Sequence, residues 1–249
     1  MNAVIFIPAK GQSQSIPRKN LKLLENKPLI SWSIESGLRT GLPIYVSTDD
    51  KEIADIARSY NAKVLERPSS LAKDKTSMFE VLKNEIPKIK SNPDTVVLFQ
   101  PTSPLRKNVI VQTALSYFKE NFDKYDSLIS VEKVPDKYNP AQVILNHNGQ
   151  KGMVIAKLEN WKEKIKSYFT GIKYTVNLSG VPIYKRLTRR QDHPKAFIPT
   201  GEIYIFKTSN LKDGSIYGNE TLLLETNGTP NLNNLDDWAE CEKILNEKK

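Results

Sequence analysis

Short apolar runs alternate with helical patterns through the first half of the chain. The predicted strands are residues 4–7, 44–46, 63–65, 95–99 and 126–131. The predicted helices between them are residues 28–40, 52–60, 76–87 and 108–121, with Asp49 or Asp50 placed to cap the second. This alternation is typical of βαβ units. The sequence therefore predicts an α/β fold with a mostly parallel, doubly wound, Rossmann-like sheet.

The pattern changes after residue 131. Residues 138–190 contain short apolar stretches broken by Asn, Gly and Lys, which favours hairpins over further βαβ units. Strand signals return at 196–198 and 202–206, and a final helix is predicted at 235–246. We see no internal repeat or linker. We therefore predict a single domain, residues 1–249, with an inserted extended lobe or arm at 138–190.

Composition describes an ordinary soluble globular protein. The chain has 249 residues, of which 39% are hydrophobic and 26% charged, and its mean hydropathy is −0.47. Cys241 is the one cysteine, so no intramolecular disulfide is available. The apolar run near the start, residues 3–7, is too short for a signal peptide or a membrane span. We expect a cytoplasmic protein with no membrane partner.

The formal charge of +9 is concentrated in two segments. Residues 10–27 contain five basic side chains against Glu25 alone, and residues 151–195 contain 11 basic and 3 acidic side chains. Both segments are candidates for facing an anion. Charge by itself leaves nucleic acid, an anionic membrane and a small polyanion such as a nucleoside triphosphate as alternatives.

The loop at 8–20 follows the first predicted strand, and ligands of parallel α/β sheets bind where such loops leave the carboxyl ends of strands. Gly11 permits a tight backbone, and successive N–H groups and serine hydroxyls can donate to phosphate oxygens. Lys10, Arg18 and Lys19 supply positive charge. The loop is neither a Walker A motif nor GxGxxG, and a solvated basic loop is the alternative interpretation.

Several motifs, in order, resemble the CMP-sialic acid synthetase (acylneuraminate cytidylyltransferase) family, including relatives that act on legionaminic or pseudaminic acid. The motifs are IPAKGQSQSIPRKN at 7–20, NKPLI at 26–30, STDD at 47–50, ERPSSLAKD at 66–74, QPTSPLR at 100–106, RRQD at 189–192 and PTGEIYIF at 199–206. The resemblance covers nearly the whole chain except about 138–185.

The resemblance implies an enzyme that joins the anomeric hydroxyl of an acidic keto-sugar to the α-phosphate of CTP and releases pyrophosphate. It also implies Mg²⁺ as cofactor and a homodimer in which the 138–190 lobe reaches the partner. The basic residues then have a small-molecule explanation, so we expect no nucleic-acid partner. A 3-deoxy-octulosonate cytidylyltransferase is an alternative within the same reaction class.

The resemblance also assigns site residues. The catalytic residues would be Lys10 and Lys19. The nucleotide site would comprise Ala9, Lys10, Gly11, Ser13, Asn20, Arg67 and Ala72. The sugar-acid site would comprise Gln100, Arg189, Arg190 and Gln191, since a guanidinium can bind a carboxylate through two hydrogen bonds. The metal would be held near Asn231 and Asn233, with Asp237 as a further candidate.

This chain departs from the family pattern at chemically important positions. Gln14 stands where the family places a phosphate-facing lysine, and Gln12 and Ser15 are also unusual. Asn231 and Asn233 stand where a pair of aspartates would hold Mg²⁺, an ion that prefers hard, anionic oxygen ligands. Asp49, Asp50, Asp236 or Asp237 would be substitute ligands. A degenerate, non-catalytic nucleotide-binding relative is therefore the rival hypothesis.

Overall fold

The computed structural model describes residues 1–135 and 196–247. Contacts within the chain define two compact units, one formed by residues 1–132 with 199–249 and the other by residues 133–198. The predicted lobe at 138–190 lies outside the described residues. The candidate functional site belongs to the first unit.

The described strands are β1 (Ala3–Pro8), β2 (Leu23–Leu24), β3 (Lys27–Pro28), β4 (Ile44–Thr48), β5 (Lys63–Glu66), β6 (Thr95–Leu98), β7 (Ser127–Lys133), β8 (Phe197–Lys207) and β9 (Thr221–Glu225). The described helices are α1 (Leu29–Leu38), α2 (Lys51–Ser59), α3 (Met78–Glu85), α4 (Asn108–Glu120) and α5 (Leu235–Asn246). The strands and helices predicted within these residues are confirmed, with boundaries that differ by a few residues, except for the two strands predicted between 196 and 206.

The main sheet of the described residues has the strand order β5-β4-β1-β6-β8-β7-β9. Strands β5, β4, β1 and β6 are parallel neighbours, β8 runs antiparallel to β6, and β7 is parallel to β9. The mainly parallel α/β sheet is thus confirmed. Because β1, β4, β5 and β6 point the same way, the loops that follow them meet at one edge of the sheet.

The core explains why these strands lie in the centre. All six residues of β1 are buried, as expected for a strand covered on both faces. Ile5 and Ile7 pack with α1, α2 and α4, whereas Val4 and Phe6 pack with α3. A third apolar cluster joins α5, through Trp238 and Cys241, to the start of α1. Helices therefore cover both faces of the sheet.

Three elements differ from the sequence prediction. The two strands predicted at 196–198 and 202–206 form one continuous strand, β8, which passes through Gly201 with a φ of 77°. The hairpin of β2 and β3 was not predicted, because two-residue strands leave no periodicity to detect. The edge strand β9 was missed because its five residues alternate poorly between buried and exposed positions.

Among the described residues, no helix combines the length and the apolarity that crossing a bilayer requires.

Candidate functional site

The loop at 9–20 lies at the carboxyl edge of the sheet, as predicted. Ala9 is buried, and its N–H donates to the carbonyl of Ser47 at the end of β4, 2.9 Å away. This bond extends the pairing of β1 with β4 by one residue, so the loop begins from a fixed point. The polar residues that follow Ala9 are therefore held at the edge of the sheet.

Lys10, Gly11 and Asn20 form the inner part of this loop. The side-chain amide of the buried Asn20 donates to the carbonyl of Lys10 at 2.8 Å. The N–H of Gly11 donates to Oδ1 of Asp49 at 2.9 Å, and a β-carbon at Gly11 would lie 2.9 Å from Asp50. Glycine is therefore needed because the loop backbone lies against the acidic residues that follow β4.

Lys10 forms an ion pair with a residue of another loop. Its ammonium lies 2.5 Å from Oδ1 of Asp74, in the loop after β5. The side chain of Gln14 also lies near Asp74, and the contacts with Lys10 and Gln14 together lower the pKa of the Asp74 carboxyl. The loops after β1 and β5 are thus joined across the intervening β4.

Arg18 lies at the left-handed backbone position that starts a short turn of 3₁₀ helix, Lys19–Leu21, with a φ of 49°. Its guanidinium pairs with Asp50 at 3.3 Å and with Glu52 at 3.0 Å. Asp50 caps α2 through hydrogen bonds from the N–H groups of Glu52 and Ile53, which confirms one of the two predicted caps. Arg18 therefore fixes the end of the loop to the start of α2.

Lys19 connects the loop to the C-terminal segment. Its ammonium donates to the carbonyl of Leu232 at 2.9 Å. Burial lowers the pKa of Lys19, the charge of Lys10 lowers it further, and Asp237 opposes the shift. Lys10 and Lys19, the two predicted catalytic residues, are thus close enough to affect each other's charge.

Arg67 is a buried cation at the end of β5. Its Nε donates to Oγ of Ser47 at 3.0 Å and an Nη donates to the Ser47 carbonyl at 2.9 Å. Burial lowers the pKa of Arg67, while the carboxylates of Asp49 and Glu85 oppose the shift. Glu85 is itself buried and paired with Lys88 at 2.7 Å. Arg67 is therefore rigidly held beneath the loop edge.

Gln100 begins the loop after β6, and this loop is organised by Arg106. The buried Arg106 donates to the carbonyl of Gln100 at 3.0 Å and to the carbonyl of Glu202, and its guanidinium lies 4.2 Å from the ring centre of Phe99. Burial lowers the pKa of Arg106 to about 9, and the Glu202 carboxylate opposes the shift. The guanidinium therefore stays charged near neutral pH and holds the Gln100 backbone in place.

The segment at 231–233 lies against this loop and against β8. The N–H of Leu232 donates to the carbonyl of Thr102 at 2.7 Å. A β-carbon at Gly201 would lie 2.3 Å from the amide nitrogen of Asn231, so the glycine leaves room for that side chain. Asn233 donates through its side-chain amide to the Asn231 carbonyl at 3.1 Å. The predicted metal residues are thus brought to the edge that holds Lys19 and Gln100.

The third metal candidate, Asp237, has a structural role. Its Oδ2 accepts hydrogen bonds from the N–H groups of Asn233 and Asn234, at 2.7 and 3.0 Å, and its own N–H donates to Oδ1 of Asn234. This reciprocal pair is a capping box that starts α5. An aspartate at the third helical position therefore stabilises the helix start.

The donor set at 231–233 fits a protein-held Mg²⁺ poorly. Oδ1 of Asn231 is buried and has no hydrogen-bond partner within the described residues, which suits one neutral ligand. The Asp237 carboxylate is engaged in the capping box, and the nearby Lys19 is a cation. Among the described residues, no three Asp, Glu, His or Cys side chains are grouped to hold a metal. Mg²⁺ requires more anionic oxygen than this segment offers.

Beside this segment lies a buried carboxylate, Glu202, that was not among the predicted site residues. The side chain of Glu202 is fully buried, and it accepts hydrogen bonds from the hydroxyls of Thr200, Thr226 and Thr229 at 2.9 to 3.3 Å. Burial raises the pKa of the neighbouring Glu132, and the charge of Glu202 adds to the shift. The three threonine hydroxyls therefore compensate for the burial of the Glu202 carboxylate.

The remaining predicted residues have different outcomes. Ser13 is half-buried in the loop after β1, and Ala72 is half-buried where it ends a short 3₁₀ turn, Ser69–Leu71. Arg189, Arg190 and Gln191 lie outside the described residues. The roles of Asp74, Arg106 and Glu202 were missed, since each depends on a partner far away in sequence. The opposite charges of Lys10 and Asp74, both within quoted motifs, are the one signal that hinted at a contact.

Chemically, this edge can bind a polyanion and present a second molecule to it. Lys10 and Lys19 offer two ammonium groups, and the serines and backbone amides of the loop offer further donors. Arg67 and Asn20 are buried and held by hydrogen bonds to the carbonyls of Ser47 and Lys10. Gln100 lies at the end of β6, next to β1 in the sheet. The arrangement suits a transfer reaction between two adjacent ligands.

Two cytidylyltransferases and a CMP-sugar synthase are similar to this chain in sequence. N-acylneuraminate cytidylyltransferase from Escherichia coli is 34% identical over 143 residues, which is 57% of this chain and 33% of that protein. Pseudaminic acid cytidylyltransferase from Campylobacter jejuni is 37% identical over 131 residues, 50% of this chain and 56% of that protein. CMP-N,N′-diacetyllegionaminic acid synthase from Legionella pneumophila is 29% identical over 98% of this chain and 97% of that protein.

A solved structure also has this fold. It is that of CMP:2-keto-3-deoxy-manno-octonic acid synthetase in complex with CTP. The match covers 100% of each chain, with a TM-score of 0.65 and 15% sequence identity. At that identity the likeness shows the fold alone. The present chain spans about half the length, or less, of several of the curated relatives. The model of the cytidylyltransferase family matches residues 4–193, which is most of the chain, and the protein therefore belongs to that family.

Proposed function

We propose that the protein transfers the CMP group of CTP to an acidic keto-sugar of the nonulosonic acid class. The anomeric hydroxyl oxygen of the sugar would form a bond to the α-phosphorus. The bond from the α-phosphorus to the bridging oxygen would break, pyrophosphate would leave, and the hydroxyl would lose its proton. Reactions of this kind depend mainly on positioning and charge neutralisation.

The observation that carries the proposal is the placement of Lys19. Its half-buried side chain extends from the loop after β1 to the Leu232 carbonyl. Its ammonium is close enough to Lys10 for the two charges to interact. A pair of ammonium groups at the carboxyl edge of a parallel sheet suits a triphosphate. Partial burial strengthens the interaction of Lys19 with the phosphate charge that develops during transfer.

Of the remaining candidate residues, some would bind the nucleotide and others the sugar acid. Asn20 and Arg67, both buried, would define the nucleotide end with Ala9 and Ala72. Gln100 would face the sugar acid, held in place through the Arg106 contact with its carbonyl. Arg189, Arg190 and Gln191 would bind the sugar carboxylate, a role supported by the resemblance alone.

Mg²⁺ is proposed to arrive on the phosphates of CTP. The donor set at 231–233 does not favour a separate, protein-held ion, whereas Mg²⁺ commonly keeps several waters and binds through substrate phosphates. When bound there, the ion would neutralise phosphate charge alongside Lys10 and Lys19.

The nonulosonic acid class is supported by the names of the relatives, and above all by the Legionella protein, which matches along nearly its whole length. The test is pyrophosphate release when CTP and Mg²⁺ are mixed with sialic, legionaminic, pseudaminic or 3-deoxy-octulosonic acid. Release with a nine-carbon acid supports the proposal. Release with 3-deoxy-octulosonic acid alone would overturn the substrate class. No pyrophosphate release with any of the four acids would overturn the proposed reaction.

A homodimer is proposed on the resemblance alone. Light scattering coupled to size-exclusion chromatography measures the molar mass directly. A mass near twice 28.3 kDa supports the dimer, and a mass near 28.3 kDa contradicts it.

A further inference from the structure

The ion pair between Lys10 and Asp74 joins two loops that the proposed function assigns to different parts of CTP. Lys10 follows β1, in the loop assigned to the triphosphate. Asp74 follows β5, in the loop that also contains Arg67 and Ala72 and is assigned to the nucleoside. The ammonium and the carboxylate oxygen are 2.5 Å apart. A ligand that spans both loops would therefore meet this contact.

Two other donors of the loop, the N–H of Gly11 and the guanidinium of Arg18, are also engaged by carboxylates. The N–H of Gly11 donates to Asp49 at 2.9 Å, and the Arg18 guanidinium pairs with Asp50 and Glu52. Carboxylate and phosphate oxygens accept hydrogen bonds from the same donors with similar geometry. The loop is thus held in shape by acidic side chains at positions that suit the oxygens of a bound anion.

Asp74 differs from the other two aspartates. Asp49 and Asp50 follow β4 directly and hold main-chain groups of the loop or of α2. Asp74 has an exposed side chain, 44% accessible, and its contacts described above are with the side chains of Lys10 and Gln14. It can therefore move away without unfolding either loop. Lys10, with 31% of its side chain accessible, can then turn to another anion.

We propose that Asp74 determines the affinity of the protein for a triphosphate. Asp74 pairs with Lys10 in the free protein and is displaced from it when the triphosphate binds. This inference rests on the proposed function, because it takes the loop after β1 to be the triphosphate site. Gln14 makes the competition stronger. A lysine at 14 would share the Asp74 carboxylate, whereas the neutral glutamine leaves Lys10 as its one cationic partner among the contacts described here.

The expected effect is modest, because both side chains are partly exposed and such ion pairs are weak. Loss of the Asp74 charge would remove a competitor for Lys10 and a repulsion toward the incoming phosphates. We expect Asp74→Asn to lower the Kd for a triphosphate by about three- to fivefold. Asp74→Glu keeps the charge and should stay within about twofold of the wild type.

Isothermal titration calorimetry with inorganic triphosphate, and separately with CTP and Mg²⁺, tests this on the full chain. Asp55→Asn is the matched control, since Asp55 forms an exposed ion pair with Arg58 on α2, at 2.9 Å. Tighter binding by Asp74→Asn, with Asp55→Asn unchanged, supports the inference. Equal affinities for Asp74→Asn and the wild type would overturn it, as would an equal gain in the Asp55→Asn control.

A double-mutant cycle separates displacement from a general charge effect. In a Lys10→Gln background Asp74 has no ammonium group to pair with. Asp74→Asn should therefore lower the Kd by less than about twofold in that background. The same gain in both backgrounds would show that Asp74 acts through long-range repulsion, which contradicts the proposal.

Failure of this inference can be told apart from failure of the proposed function. Affinity for inorganic triphosphate reports on Lys10 and Asp74 without any sugar or turnover. Pyrophosphate release with sugar acids reports on the reaction. Turnover with no effect of Asp74→Asn on affinity overturns the inference alone. Tighter triphosphate binding by the variant, with no turnover on any sugar acid, supports the inference and overturns the reaction.

Discussion

The ammonium of Lys19 donates a hydrogen bond to the carbonyl of Leu232, 2.9 Å away, although the two residues are 213 positions apart in the sequence. Leu232 lies between Asn231 and Asn233, the pair that replaces the aspartates expected from the family pattern. A lysine thus contacts the segment where a divalent cation was expected. With neutral asparagines on either side, the segment offsets the positive charge of Lys19 less than two carboxylates would.

The first prediction concerns the charge of Lys19. Lys19→Gln should reduce kcat/KM for CTP by at least about 100-fold, since it removes a half-buried cation from a phosphoryl-transfer site. Initial rates of pyrophosphate release measure the effect. Lys22→Gln is the matched control, because Lys22 is exposed and contacts the Trp238 ring at 5.0 Å. We expect it to stay within about threefold of the wild type.

Lys19→Arg distinguishes charge from shape. Arginine keeps the positive charge but presents a planar fork, so it should restore part of the activity that Lys19→Gln loses. An arginine variant as inactive as the glutamine variant would indicate that the Lys19 to Leu232 contact matters for geometry. Equal losses in the Lys19→Gln and Lys22→Gln variants would contradict the assignment of Lys19 to the site.

The second prediction concerns metal binding by the protein itself. Mn²⁺ is a paramagnetic substitute for Mg²⁺, and electron paramagnetic resonance measures how much of it is bound. Without nucleotide, the wild type should bind Mn²⁺ no more tightly than millimolar, because Asn231 and Asn233 carry no charge. Asn231→Asp with Asn233→Asp should increase the affinity by about tenfold or more. Tight binding by the wild type would contradict this account of the donor set.

Adding Gln14→Lys to that double variant tests whether the chain has lost activity. The triple variant restores the charges of the family pattern. Activity that appears only in it would favour the degenerate, non-catalytic hypothesis. A wild type as fast as the triple variant would show that the reaction does not need those charges.

The fold was largely predictable because its central strands are fully buried. Residues of β1 and β6 have no solvent-facing side, so their sequences are continuous apolar runs that periodicity detects. Helix ends were predictable where a side chain marks them, as Asp50 does for α2. By contrast, β9 lies at the sheet edge with mixed exposure, and its sequence has no such signal.

The placement of several candidate residues at one edge of the sheet was predictable, but their pairings were not. Lys10, Lys19 and Asn20 were predicted to lie at the carboxyl edge of the sheet, and they do, because the parallel strands fix where their loops converge. The resemblance gave no partner for any of them. The contacts of Lys10 with Asp74 and of Arg106 with the Glu202 carbonyl join residues 64 and 96 positions apart, and only the packed fold defines them.

The third prediction is a pH dependence of stability from Glu132. Burial and the charge of Glu202 raise the pKa of Glu132 above its ordinary value of 4.5. A raised pKa in the folded state means that the ionised carboxylate destabilises the fold, fully above the folded pKa and not at all below about 4.5. Glu132→Gln should therefore raise the free energy of unfolding at pH 7, by less than about 1 kcal/mol because the side chain is partly solvated.

Urea unfolding at pH 7 and pH 4 measures this difference. The gain should vanish at pH 4, where Glu132 is protonated in both the folded and the unfolded state. Glu225→Gln, at an exposed position at the end of β9, is the control and should change stability little at either pH. A gain from Glu132→Gln that is equal at both pH values would show that packing, and not ionisation, is responsible.

The last prediction separates backbone strain from a steric clash at Gly201. Gly201 and Gly214 both have φ near 80°, at 77° and 80°, so alanine at either should cost about 1–2 kcal/mol of stability. A β-carbon at Gly214 would have nothing within 4 Å, whereas one at Gly201 would lie 2.3 Å from the Asn231 amide. Gly201→Ala should therefore lose more stability and also displace Asn231 from the site. Paired urea unfolding and initial-rate measurements test this, and equal losses of stability with full activity in both variants would contradict it.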